Sequence, residues 1–173
     1  MSRIEIIDNY LPDDIFTNII QKEILSTRFP WYFKDHIVRH TPINYQFVHV
    51  FKPPSPYLQV IRPLIEKLDP KSIIRCKANL RPITDKPEQS PYHVDQSQCS
   101  DHMVAIYYIN TNNGYTIFEH NKQKVESIAN RLLIFDGHLR HAGCNCTDVK
   151  QRVVLNINYL EHGQEWHYQN RDE

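Results

Sequence analysis

Arg152-Val153-Val154-Leu155-Asn156-Ile157-Asn158-Tyr159 reads as a strand with two unlike faces. Side chains two residues apart in an extended chain point the same way. Arg152, Val154, Asn156 and Asn158 therefore share one face, and Val153, Leu155, Ile157 and Tyr159 share the other. The second face asks for a core, whereas the first asks for a polar cavity or for solvent. Turned inward, Arg152 is a planar, bidentate holder of a carboxylate; turned outward, it is only a solvated cation. The inward placement has a chemical condition, because a buried guanidinium needs an anionic partner.

Working back from this strand, residues 72 onward form short β-type runs at close spacing: 73–83, 92–95, 103–110, 115–119, 124–128 and 131–135, with 152–159 the last. Asn112-Asn113-Gly114 and Asp136-Gly137 supply turn residues between them. The N-terminal part differs. Residues 3–7 read as a strand, and Pro12-Asp13-Asp14 offers helix-start chemistry. Ile15, Phe16, Ile19, Ile20 and Ile24 then make one apolar helical face that runs to Ser26. Residues 45–51 read as a strand, and 58–68 as a second amphipathic helix with Pro63 limiting its first turns. Lys52-Pro53-Pro54-Ser55-Pro56 is a loop. The pattern predicts a mainly β fold with supporting α: a double-sheet jelly roll with N-terminal helices packed on one sheet. A generic β-sandwich satisfies the same periodicity.

Length and composition narrow the class. At 173 residues the chain is read as one domain, with 1–71 as support, 72–160 as the jelly-roll core and 161–173 as a tail. Twenty basic and twenty acidic residues balance, which gives no support to a nucleic-acid or anionic-membrane surface. No run approaches a membrane span, and the first residues lack the basic, apolar and small-residue order of a signal peptide. The expectation is a cytoplasmic protein with reduced thiols at Cys76, Cys99, Cys144 and Cys146. Cys144-Asn145-Cys146 lacks two nearby partners for a closed zinc site. Ten Tyr, seven Phe and two Trp fit core packing.

His93-Val94-Asp95 is the second informative stretch. On extended backbone His93 and Asp95 face one way while Val94 packs the other. His141, after the Asp136-Gly137 turn, can join them from a neighbouring strand; His138, three residues earlier, is the rival. His102 and His120 read as ordinary surface histidines. Two histidines and a carboxylate can occupy one face of a metal octahedron and leave the other open, the facial arrangement of non-haem Fe(II) oxygenases.

Over residues 73–160 the chain resembles the prolyl-hydroxylase-like branch of the Fe(II)/2-oxoglutarate dioxygenases, whose fold is a double-stranded β-helix. His93-Val94-Asp95 is similar to the ligand pair, and Arg131-Leu132-Leu133-Ile134-Phe135-Asp136 to the strand before the distal ligand His141. Arg152 is similar to the basic residue of the final strand. Ile106-Tyr107-Tyr108-Ile109-Asn110 resembles a strand whose second tyrosine bonds the far carboxylate of 2-oxoglutarate; that role falls to Tyr108, with Tyr107 on the opposite face. Residues 84–91 lack the family's tyrosine-bearing segment, for which Asn79 would substitute if it is not simply a polar residue of its strand. Residues 112–116 are Asn-rich where paired glycines are frequent, with Thr116 expected to line the pocket.

The resemblance implies Fe(II) held by His93, Asp95 and His141, with 2-oxoglutarate as co-substrate and O2 as oxidant. Arg152 and Tyr108 would hold the co-substrate's far end. It implies hydroxylation of a prolyl or similar residue in a protein or peptide, a small molecule being the other option. Gln96, Asp101 or Asp136 could accept the second ring N–H of the histidines. Residues 29–40 and 85–91 would form substrate lips, with Trp31 and Tyr32 as aromatic contacts, although Trp31-Tyr32-Phe33 also fits plain packing. Two other readings use the same ligands: a nucleic-acid demethylase, which needs a basic groove and base-stacking aromatics, and a cupin-like metal-binding domain without turnover. The latter has no need for Arg152 and Tyr108 to face the metal.

Overall fold

The computed structural model describes residues 2–38, 45–96 and 101–164. Ten strands follow in chain order: β1 (Ile4–Ile7), β2 (Tyr32–Lys34), β3 (Gln46–Val50), β4 (Ser72–Pro82), β5 (Met103–Tyr108), β6 (Asn112–Phe118), β7 (Lys124–Ser127), β8 (Leu132–Asp136), β9 (His141–Cys144) and β10 (Gln151–Leu160). They form a seven-stranded sheet, ordered β1-β8-β5-β10-β4-β3-β2, and a three-stranded sheet, ordered β7-β6-β9. Every pairing is antiparallel. This is the predicted jelly roll.

The alternation read from β10 organises both layers. Its Val153, Leu155, Ile157 and Tyr159 lie with Tyr107, Cys76, Ala78 and Leu80 in a core that also takes Phe16, Ile20, Ile24, Ile61 and Leu64 from the helices. The opposite face contributes Val154 to a second core between the sheets, with Val104, Ile106, Tyr108, Leu133 and Phe135 meeting Phe118 and Val125. Tyr107 and Tyr108 thus fall into different cores, as neighbours on a strand must.

The first helical segment is wound unevenly: Asp13–Ile15 and Lys22–Ile24 are α-helical, and Phe16–Gln21 between them is a π-helix. The Lys22 N–H donates to the carbonyl of Thr17, the wider five-residue step. That winding keeps Phe16, Ile20 and Ile24 buried but rotates Ile19 off the face, where it is 41% exposed instead of packed as expected. The helix Leu58–Leu68 runs through Pro63, with Ile61 and Leu64 anchoring it to the sheet.

Four further expectations are corrected. Residues 92–95 make no strand of their own; His93 forms an isolated bridge to His141. Asn112-Asn113-Gly114 is no turn but the start of β6, where the register to β7 shifts between Asn112 and Tyr115. A bulge accommodates the same small, polar residues that a turn would. His102 is 2% exposed rather than on the surface, and its ring is packed against Gly137. The short strand β2 was unforeseen, because three residues carry too little periodicity to read. Cys99, residues 39 and 40 at the end of the first lip, and the tail from residue 165 lie outside the described residues. No described helix is long and apolar enough to cross a membrane.

Asn130 ties the N-terminal segment to the roll. It holds a left-handed backbone with φ of 63°, which asparagine tolerates better than most residues. Its side chain accepts the Leu11 N–H (3.0 Å) and the Tyr107 hydroxyl (2.6 Å), and donates to the Leu11 carbonyl (2.8 Å). Asn130→Ala leaves three buried groups without partners and should lower unfolding free energy by about 2–4 kcal/mol, measured by urea titration. Metal binding by the folded protein should be unchanged.

Candidate active site

The site lies on the inward face of the large sheet. Strand β4 pairs with β10 so that Arg81 faces Arg152, Asn79 faces Val154, Lys77 faces Asn156 and Arg75 faces Asn158. A cavity of about 600 Å3 opens over this face, and His93, Asp95 and His141 line it as well.

The three predicted ligands converge. Their donor atoms lie within 4.8 Å of one another, with His93 Nε2 3.9 Å from Asp95 Oδ1 and His141 Nε2 3.8 Å from Asp95 Oδ2. Backbone pairing holds the histidines together: the His93 N–H donates to the His141 carbonyl and the His141 N–H returns the bond, each at 3.0 Å. Each ring then uses Nδ1 as a donor, His93 to the Pro91 carbonyl (3.0 Å) and His141 to the Leu139 carbonyl (3.1 Å). With the proton on Nδ1, both Nε2 lone pairs are left for a metal. These acceptors correct the expectation: Gln96 instead donates to Asn158, Asp136 accepts the Arg3 N–H, and Asp101 is exposed. His138 is also exposed, against Ser2, so the rival ligand is excluded.

Asp95 is the third donor and the most elaborately held. Asn156 (2.8 Å) and Asn158 (3.1 Å) donate to Oδ2, and Arg75 donates to Oδ1 at 3.3 Å. Burial alone would raise its pKa, but the surrounding charges of His141, Lys77, His93 and Arg75 outweigh burial and hold the carboxyl well below its usual range. Burial pushes the His141 imidazole down, with Asp95 opposing it. An ionised carboxylate beside two imidazole nitrogens is the donor set that a divalent first-row ion takes.

At the other end Arg152 is 5% exposed. Its Nε donates to Ser127 Oγ (2.9 Å), one terminal nitrogen donates to Thr116 Oγ1 (3.2 Å), and its Cζ lies 5.7 Å from the Tyr108 ring centre. It makes no ion pair among the described residues. Thr116 lines the cavity as expected, and the Tyr108 hydroxyl donates to it at 2.8 Å. Tyr108 itself is fully buried behind Thr116 and Arg152 and is not among the lining residues. Asn79 lines the cavity, and its buried Oδ1 has no partner among the described residues.

Three functional candidates escaped the sequence reading. Arg81 is buried beside Arg152 and donates to the carbonyls of Gly143 (3.0 Å) and Glu88 (3.4 Å); burial first, and the Arg152 charge second, push its guanidinium down to about 10. Lys77 lines the cavity near Asp95, and burial pushes it down to about 8 against the pull of Asp95. Both were legible in principle, since Arg75-Cys76-Lys77-Ala78-Asn79-Leu80-Arg81 alternates as the last strand does. Gly114 is the third. A Cβ there would lie 2.7 Å from Arg152 Cδ and 2.8 Å from the Cys144 carbonyl, so the arginine passes over bare backbone.

Of the expected lips, residues 29–40 contribute Lys34, His36, Ile37 and Val38 to the cavity, and residues 85–91 contribute Ser90. Trp31 packs edge-on against Phe29 with ring centres 5.0 Å apart, while Tyr32 is 62% exposed. Cys144 and Cys146 are buried free thiols.

No family model matches the chain, and no curated protein matches it significantly. Solved structures do resemble it in fold. A prolyl hydroxylase from Trichoplax adhaerens, in complex with a hypoxia-inducible-factor peptide, shares 16% identity over 91% of this chain and 83% of its own, with a TM-score of 0.68. A 2OG-Fe(II) oxygenase family protein from Burkholderia pseudomallei shares 12% over 96% and 89%, with a TM-score of 0.69. HygX from Streptomyces hygroscopicus, with nickel and 2-oxoglutarate bound, shares 11% over 96% and 86%, with a TM-score of 0.64.

Two consequences are measurable. Removing the amides that hold Asp95, as in Asn156→Ala, should weaken Co(II) or Ni(II) binding roughly 10–100-fold by calorimetry, whereas His141→Ala should abolish it. Gly114→Ala should displace the Arg152 side chain, read as a shift of its guanidinium NMR signal, while leaving metal affinity intact.

Proposed function

We propose that this protein is an Fe(II)- and 2-oxoglutarate-dependent dioxygenase that hydroxylates an organic substrate. The observation that carries the reading is the pairing of two features on one cavity wall: a convergent His93–Asp95–His141 donor set, and a buried Arg152 that lacks an anionic partner among the described residues. Neither feature by itself is specific to one chemistry. Together, a metal face and a carboxylate-binding guanidinium in one cavity suit a metal-chelating keto acid with a second, distal carboxylate. The chemistry of the donor set fits ferrous iron, and the orphaned Asn79 Oδ1 fits a polar occupant.

When bound, iron and 2-oxoglutarate supply oxidative decarboxylation with O2, giving succinate, CO2 and an oxidised substrate C–H bond. This chain's residues position the parts. His93, Asp95 and His141 hold one face of the ion and leave the other open. Arg152 receives the far carboxylate, and Thr116, fixed by the Tyr108 hydroxyl, orients both the guanidinium and the co-substrate. Tyr108 therefore acts in this reading through Thr116 and Arg152. Asn156, Asn158 and Arg75 keep Asp95 aimed.

For the substrate, likeness to a peptide-bound prolyl hydroxylase supports a prolyl or similar residue of a peptide, and the polar cavity of about 600 Å3 supports a small molecule. The nucleic-acid alternative finds no support in the neutral overall charge. The inward placement of Arg152 counts against a metal-binding domain without turnover.

Purified anaerobically, loaded with Fe(II) and exposed to O2, the protein should convert 2-oxoglutarate to succinate slowly without substrate. His93→Ala should abolish this turnover, and Arg152→Ala should chiefly raise the 2-oxoglutarate concentration needed. Equal succinate production in all three proteins would refute the reading.

A further inference from the structure

The cavity wall is far more cationic than the chain. Lys34, Arg75, Lys77, Arg81 and Arg152 all line it, while Asp95 is the single acidic residue that does so among the described residues. The whole protein is formally neutral, with twenty acids available, so this imbalance is local. Arg75 is accounted for by its contact with Asp95. In the dioxygenase reading Arg152 is accounted for by the distal carboxylate of 2-oxoglutarate. A divalent ion and a dianionic co-substrate cancel, so they leave the remaining excess untouched. Lys34, Lys77 and Arg81 make no ion pair among the described residues.

Register divides these three. Arg81 faces Arg152 across the β4–β10 ladder and belongs to the co-substrate end. Lys77 faces Asn156, one of the two amides on Asp95, and so stands at the metal end. Lys34 lies further out on β2, paired with Gln46 of β3, which also lines the cavity. All three line one cavity, and the Lys34 charge acts on Lys77. Lys34 and Lys77 are half-buried, and clefts lined by one sign of charge concentrate the opposite ion.

We propose that the substrate oxidised in this cavity is a small anion, a molecule carrying a carboxylate or phosphate group that Lys77 and Lys34 bind beside the metal. The proposal rests on the dioxygenase reading for the roles given to Arg152 and the triad. A volume of about 600 Å3 is that of a small-molecule site. The cations are set in its wall rather than strung along the surface, which distinguishes it from a groove tracking a polyanionic backbone.

The test uses protein loaded with Co(II) and saturated with 2-oxoglutarate in the absence of O2, at low ionic strength. Inorganic phosphate, acetate and uncharged ethylene glycol are titrated in separately, with affinity read by calorimetry and nearness to the metal by paramagnetic relaxation of each probe's NMR signal. Phosphate, acetate or both should bind and relax strongly, the stronger of the two naming the group, and ethylene glycol should not. Lys77→Gln and Lys34→Gln should each weaken anion binding roughly tenfold, the loss of one charge-assisted contact, while Co(II) and 2-oxoglutarate still bind. Lys34 is on a peripheral strand, so its variant should fold even where Lys77→Gln does not. The proposal is overturned if no anion binds near the metal, if both variants bind anions as well as the parent, or if only an acidic peptide or oligonucleotide binds. Failure of Co(II) or 2-oxoglutarate to bind defeats the dioxygenase reading instead; an anion still held by Lys77 and Lys34 in that protein upholds the binding site.

Discussion

The pairing of β4 with β10 is the constraint on which the site depends. Ten residues of β10 meet β4 on one side, and six of them also meet β5 on the other, so the strand is locked from both edges. A slip of one residue would turn every side chain to the opposite face. Val153, Leu155, Ile157 and Tyr159 would leave the helix-covered core, and Arg152, Asn156 and Asn158 would leave the cavity. The hydrophobic burial that fixes the register thereby also aligns the guanidinium of Arg152 with that of Arg81, and the amides of Asn156 and Asn158 with Asp95.

Within that frame the His93–Asp95–His141 end and the Arg152 end are built differently. The histidines depend on backbone: a reciprocal hydrogen-bonded bridge joins them, and neighbouring carbonyls set the tautomer. The His141 ring also packs edge-on against Phe135, with ring centres 4.8 Å apart. Asp95 and Arg152, by contrast, depend on side-chain partners from several strands. Asp95 takes donors from β4 and β10, and Arg152 takes acceptors from β6 and β7 while crossing the bare backbone of Gly114. The space for Arg152 exists because three strands leave it.

The cavity also shows how charge is arranged against the average of a chain. Cations on β4 recur at the period of the strand, so folding brings Arg75, Lys77 and Arg81 to one wall together, while the described acids, apart from Asp95, line none of it. Such an arrangement costs solvation in the empty protein and is offset by anionic occupants. It places selectivity for charge in the same strand that supports the ligands.

Much of this was readable from sequence, for a physical reason. Alternation along β10 and the spacing of His93 and Asp95 are local properties, since strand geometry alone assigns residues to faces. They were sufficient for the fold class, for the triad and for the two possible settings of Arg152. What no local pattern could decide was which setting holds, because facing inward is defined by a second sheet. The same limit hid the role of Gly114, whose partner lies in another strand, and the acceptors of the histidines, which are carbonyls and carry no residue identity. The winding of Phe16–Gln21 and the burial of His102 were likewise settled by packing, where neighbours distant in the chain override what a segment prefers by itself.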